Sequence, residues 1–335
     1  MGPPGPRSHQ GSPMNDVTRS LLALGLATLV PAATAQGYPE KPVRIIAPFP
    51  PGGNVDIHAR VIAAGLGEVF GQTVLVDNRG GAGGMIGAEA VAKASADGYT
   101  LLLGSNGPVS IGPLLYAKAA YAPLRDFAPI TMLSVSPMVF ALHPSMPAKT
   151  VKEFIALLKA RPGKVTVATA GTGTSNHLAG ELFQSMTGSR MVHVPYKGSG
   201  PALVDVLGGQ VDLIIDQVAS SIPHIRAGKL RAIAVTTEKR AAVMPEVPTF
   251  DEAGLKGYEA NTYAALLAPA GTPREIVARL NAATLRVLGT NASRERFAQM
   301  GTEPAGNSPE QLAAFLKQDI AKWEKVIRDS NVKVE

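Results

Sequence analysis

Cysteine is absent from this chain, and with it any disulfide, thiolate metal site or cysteine-linked lipid anchor. A protein of this length does not need disulfides to stand, so the absence bears on attachment more than on stability. There is no run of lysines and arginines interleaved with aromatics. The net charge of +6 comes from scattered residues, which argues against a nucleic-acid surface. No internal repeat of 20–50 residues and no low-complexity core segment occurs. The one marked apolar run near the start, residues 21–30, is half of the roughly 20 residues a membrane span requires.

Signatures of several enzyme classes are missing as well. No G-x-S-x-G elbow surrounds a serine, so Ser175, His177 and Asp216 do not compose a hydrolase triad. The cluster Gly80-Gly81-Ala82-Gly83-Gly84-Met85-Ile86-Gly87 follows a strand and opens a helix, yet Gly81 and Gly83 would require glycine where Ile86 stands. It also lacks the G-K-[ST] ending of a phosphate loop. Close helix–strand packing explains these glycines. The six histidines are dispersed, and His177 with Glu181 is not H-E-x-x-H, so neither a metal nor a cofactor is expected.

What is present begins with an export signal. Arg19 precedes the apolar run, and Ala33-Thr34-Ala35 supplies a small-x-small cleavage pattern before Gln36, giving a signal peptide over residues 1–35. The Gly/Pro-rich residues 1–13 are unlike the head of such a signal, so Met14 is read as the true start. Gln36 stands where a lipid anchor would need cysteine. The mature protein is expected to be soluble in the periplasm of a Gram-negative cell and to be monomeric.

Beyond Gln36, strand and helix alternate. Strands are expected at residues 43–47, 73–77, 100–104, 130–133, 138–142, 165–170, 191–195, 211–215, 230–236 and 263–268, with helices between most of them. Such alternation predicts an α/β protein with mainly parallel sheets. A chain of 335 residues exceeds one typical core. The apolar stretch 127–143 reads as a crossover to a second α/β set, and 230–237 as the return. Two lobes on two crossover strands follow: residues 36–136 with 245–335, and residues 137–244. A ligand would lie in the cleft between them, at the carboxyl ends of the strands.

Two strand-to-helix loops carry most of the chemistry. Val43-Arg44-Ile45-Ile46-Ala47 runs into Pro48-Phe49-Pro50-Pro51-Gly52-Gly53 and then into a helix whose cap is expected to be Asn54 or Asp56. Prolines have no N–H, so the donors are those of Phe49, Gly52, Gly53, Asn54 and Val55, a seat for an anion at a helix N-terminus. The alternative is an ordinary turn. Gly171-Thr172-Gly173-Thr174-Ser175 repeats the pattern with hydroxyls, between a strand and the helix opening at His177, and reads as a second cradle or as a capping turn. Ser105 and Asn106 follow a third strand and could face the cleft or form a plain turn. Asp216 ends a strand, where it could meet a ligand or cap the next helix. Lys197 could neutralise a carboxylate or be simply solvated.

The runs PFPPGGNVDIHAR, DNRGGAGGMIGAEAVAKASADGYTLLLG, TAGTGTSNHLAGELF, VPYKGSGPALVDVLGGQVDLIID, AGKLRAIAVTT and VPTFDEAGLKGYEA resemble the Bug family, the periplasmic receptors of tripartite tricarboxylate transporters. The resemblance spans nearly all of the mature chain. It implies a type II periplasmic-binding-protein fold that closes on a small carboxylate, without catalysis, and hands it to a two-component membrane permease. Some such receptors act with sensor systems, which makes a sensor kinase a further expected partner. By this resemblance residues 49–54 and 171–175 hold the carboxylate through amides, hydroxyls and ordered waters. Asp216 stands where the family has Asp after an apolar strand, with Ile215 replacing the usual aromatic. Ala260-Asn261-Thr262-Tyr263 replaces a segment that commonly carries Trp, a departure in the wall facing the ligand's far end.

Overall fold

The computed structural model describes residues 1–5, 37–116 and 119–329. The signal peptide, its cleavage site and the expected start at Met14 lie outside the described residues. By its contacts the chain divides into residues 1–37 and Tyr38–Glu335, and the second unit holds all the secondary structure discussed below. Among the described residues no helix is long and apolar enough to cross a membrane.

Among the described residues ten strands form a curled, mixed sheet: β1 (Val43–Ala47), β2 (Val74–Asn78), β3 (Thr100–Gly104), β4 (Phe127–Leu142), β5 (Thr166–Thr169), β6 (Val192–Pro195), β7 (Leu213–Gln217), β8 (Arg231–Val235), β9 (Asn261–Pro269) and β10 (Glu303–Pro304). Their order is β2-β1-β3-β9-β4-β7-β5-β6, with β8 and β10 also on β4. The outer strands are parallel, as expected where helices make the crossovers. The middle is not: β9 is antiparallel to β3 and β4, and β4 is antiparallel to β7 and β8. The expectation of mainly parallel sheets therefore holds for the flanks only, because the central strands are crossovers rather than members of βαβ units.

Residues 130–133 and 138–142 are not two strands but one, the 16-residue β4. Up to Pro137 it pairs with β9, and from Met138 it pairs with β7. Proline cannot donate to a ladder, so the change of partner falls where a donor is already missing. The returning chain meets the same point. The Met138 and Thr236 backbones bond at 2.9 Å, the Thr236 hydroxyl takes the Met138 N–H at 3.0 Å, and the Ala260 N–H reaches the Thr236 carbonyl at 3.1 Å.

Side chains alternate across each half of the sheet, so each half has two cores. Val43, Ile45 and Ala47 pack on the helix Asn54–Phe70, while Ile46 faces Met85, Ala88 and Val91. In the other half Met138, Phe140 and Leu142 face Phe154 and Phe183, while Val139 and Ala141 face Leu203 and Val206. Phe250 and Tyr258, from the segment between β8 and β9, complete an aromatic group with Phe140 and Phe183. The helix Pro309–Asp329 contributes Leu312 and Leu316 to one core and Trp323 to the other.

Candidate functional site

The first loop is stiffened from below. The Asp56 carboxylate accepts the Gly52 N–H (3.0 Å), Arg60 Nε (3.0 Å) and Asn78 Nδ2 (3.0 Å), and Asn78 also donates to the Phe49 carbonyl (2.9 Å). Burial pushes the Asp56 carboxyl up, but Arg60 and the two N–H donors outweigh it and hold it below the usual range. The helix cap is Gly53, not Asn54 or Asp56, and it has no side-chain bond. Asn54 is thereby released from capping. Its side chain lies 3% exposed, and neither its amide nitrogen nor its amide oxygen has a hydrogen-bond partner. An orphaned amide of this kind costs about 1–3 kcal/mol, so it marks a place where a partner is wanted.

The second loop is tied to its own helix, Ser175–Thr187. Thr174 is the cap, taking the His177 N–H at 3.4 Å and donating its hydroxyl to the Gly171 carbonyl at 2.7 Å. At the end of β7 the fully buried Asp216 gathers hydroxyls from Ser199 (2.5 Å), Ser221 (3.2 Å) and Ser220, with Asn176 Nδ2 at 3.4 Å. Burial raises its pKa against the opposing pull of these donors.

These elements enclose a cavity lined by Phe49, Gly53, Asn54, Val55, Ser105, Gly107, Ala170, Thr174, Ser175, Asn176, Ser199, Gln217 and Thr262. Four helices open on it: Asn54–Phe70, Ser175–Thr187, Ser199–Leu207 and Val218–Arg226 each contribute a cap or first residue. No lining residue carries a charge, so the field inside is that of helix N-termini, each equivalent to roughly half a positive charge. Neutral donors around a positive field suit an anion. The cavity measures about 20 Å³, room for one water-sized group. It fits a ligand's head, and a longer ligand requires its walls to part.

The walls meet through glycine. Gly83, at φ +63°, lies under the second loop so closely that a Cβ would stand 2.6 Å from the Thr172 carbonyl oxygen. On the other side a Cβ on Gly200 would stand 2.8 Å from the Pro51 carbonyl oxygen, and one on Gly198 2.9 Å from Pro50 Cδ. The Tyr116 hydroxyl donates to the Thr172 carbonyl at 3.3 Å. Of the glycine cluster, Gly87 serves helix packing, with Pro48 Cα 2.8 Å from a would-be Cβ, whereas Gly83 serves this seam.

Among the expected ligand residues, Phe49, Gly53, Asn54, Ser105, Thr174 and Ser175 line the cavity. Six do not. Gly52 spends its N–H on Asp56. Gly171, Thr172 and Gly173 form the seam rather than the lining, against Gly83, Tyr116 and Gly112. Asn106 turns away to Asp319 Oδ2 (3.1 Å) and the Tyr263 N–H (3.1 Å). Asp216 sits beneath the wall, anchoring Ser199 and Asn176. Lys197 is exposed and outside the lining. His177 lies behind the second loop, where its Nδ1 accepts the Gly173 N–H at 3.4 Å and its Nε2 is 3.6 Å from Glu181 Oε1. Burial first, then the neighbouring His193, pushes the His177 pKa down to about 4. Thr262 lies in the segment expected to form part of the wall, and the lining residues that the sequence did not single out, Asn176, Ser199 and Gln217, follow or end separate strands. Only the recurrence of small polar residues at those ends could have signalled them.

Residues 58–332 match the model of the tripartite tricarboxylate transporter family receptor. The chain belongs to this family. It is 40% identical over 325 residues to protein BugT of Bordetella pertussis, covering 96% of this chain and 100% of BugT. Among solved structures it resembles R. palustris Rpa4515 with adipate (TM-score 0.86, 38% identity, 88% of this chain and 99% of that one). It also resembles MatC (Rpa3494) from Rhodopseudomonas palustris with bound malate (TM-score 0.83, 35% identity, 87% and 100%). The receptor has the two-lobed fold of periplasmic binding proteins, and the family and these neighbours are binding proteins.

Proposed function

We propose that this receptor binds a small organic carboxylate in the periplasm and delivers it to a two-component tripartite tricarboxylate-type membrane permease, with no catalysis of its own. The observation that carries the reading is Asn54: a buried amide without a partner, placed where four helix N-termini converge. The carboxylate head takes the Asn54 amide N–H, the Ser175 hydroxyl and the Gly53 N–H, while Ser199, its proton held by Asp216, shapes the wall beside them. Adipate in one neighbour and malate in another support the ligand class.

In this reading the lobes comprise residues 36–136 with 245–335 and residues 137–244, with the hinge where β4 exchanges β9 for β7. Closure of the glycine seam over the ligand then gives the permease a shape to recognise. The receptor works as an exported monomer. The rival reading, an enzyme on the same fold, lacks chemistry in the cavity. The closely bonded His58–Ser134 pair (2.8 Å) is wholly buried elsewhere, and Asp216 bonds serines and Asn176 rather than a histidine.

Mass spectrometry of ligand co-purified with the receptor tests the proposal, followed by calorimetry with the acid found. A bound carboxylate that competes with added malate or adipate supports it. A bound cation or neutral sugar, with no affinity for any carboxylate, overturns it.

A further inference from the structure

His177 and Glu181 stand one turn apart on the helix Ser175–Thr187, and β6 brings His193 against them. Glu181 Oε1 is 3.1 Å from His193 Nε2 and 3.6 Å from His177 Nε2, and one ligand atom from each of the three residues lies within 4.8 Å of the other two. In a tetrahedral zinc site with bonds of about 2.0–2.1 Å, neighbouring ligand atoms stand about 3.3 Å apart. The two measured separations bracket that value. We propose that His177, Glu181 and His193 form a binding site for a divalent transition metal such as Zn²⁺, behind the second ligand loop and separate from the carboxylate cavity.

The donor set is two imidazoles and one carboxylate, which suits zinc and leaves the fourth position to water. Gly180 makes room for the arrangement: a Cβ there would stand 2.6 Å from His193 Cε1. His193 Nδ1 is buried and has no partner, so the contacts of its Nε2 with Glu181 and Gln184 alone set that ring. An approach exists, since Glu181 borders a surface hollow of about 420 Å³ shared with Gln184 and Asp329. Loading has two local costs. The Gln184 amide nitrogen, 3.0 Å from His193 Nε2, must swing aside. The His177 proton moves to Nδ1, which ends the 3.4 Å contact from Gly173, a long one for a hydrogen bond.

The test is calorimetric titration of the chelator-stripped receptor with Zn²⁺, without carboxylate. One ion per chain in the micromolar range is expected, weakened at least about tenfold by either His193→Gln or Glu181→Gln, the loss of one of three ligands. Each variant's melting temperature without metal confirms that it is folded. His143→Gln, on a half-buried histidine outside the cluster whose side chain bonds only Ser145, leaves binding unchanged. No zinc binding, or binding that survives both cluster substitutions, overturns the site.

Discussion

The Ser199 hydroxyl donates to the Asp216 carboxylate at 2.5 Å, and through this bond a carboxylate that never reaches the cavity sets the shape of its wall. Asp216 also holds Ser220, Ser221 and, more loosely, Asn176. Asp216→Ala strands the Ser221 hydroxyl, while Ser220 keeps the Gln217 carbonyl (3.1 Å) and Ser199 a long contact to Gln217 Oε1 (3.4 Å). It should lower stability by about 1–3 kcal/mol, the cost of an orphaned buried group. Asp216→Asn retains an acceptor for Ser199 and should cost less. Denaturant melts of both variants check the order, and carboxylate affinity should fall with both because Ser199 loses its charged anchor.

Asn54→Ala separates binding from folding. Its amide has no partner within the protein, so removing it should leave the melting temperature unchanged or slightly raised. Carboxylate affinity should fall by about 1.5–3 kcal/mol, the worth of a hydrogen bond to a charged group. Calorimetry and a thermal melt on one preparation give both numbers.

Gly83→Ala tests the seam. The added methyl meets the Thr172 carbonyl, so closure is obstructed and affinity should fall at least about tenfold, or about 1.4 kcal/mol. Alanine at φ +63° also costs roughly 1 kcal/mol of backbone strain in any state. Gly163→Ala is the control: it has nearly the same φ, +67°, with nothing near its Cβ, and should lose stability without losing affinity.

Acid should weaken the fold through His58. It is completely buried, with Nδ1 on the Asn54 carbonyl and Nε2 on the Ser134 hydroxyl, both at 2.8 Å. Burial pushes its pKa down to about 4 from 6.5. The unfolded chain therefore binds the proton first. Stability from this group is full above pH 6.5 and declines as pH falls toward 4, by up to about 3 kcal/mol. Urea melts between pH 7 and 4 should show the decline, with His58→Gln flattening part of it.

The order of elements and the two strand-to-helix loops were legible because each loop is a strand, a glycine-rich turn and a helix start in unbroken sequence. Phe49, Gly53, Asn54, Thr174 and Ser175 from these loops line one cavity. Ser199 and Gln217 were hidden because one follows β6 and the other ends β7, and only the curled sheet brings those ends together. Side-chain direction was also beyond the sequence. Asn106 follows its strand just as Ser105 does, yet it turns toward Asp319. The His177–Glu181 spacing was visible, but His193 joins it through the pairing of β6 with β5, a tertiary fact.

The central claim is that the cavity recognises a carboxylate's charge. The most direct measurement is a thermal-shift panel pairing small mono-, di- and tricarboxylates, malate and adipate among them, with their uncharged amides. A carboxylate present at 100 times its Kd should add about 2.7 kcal/mol and raise the melting temperature by several degrees, while its amide does nothing. Equal stabilisation by acid and amide, or none by any acid in the panel, would contradict the account.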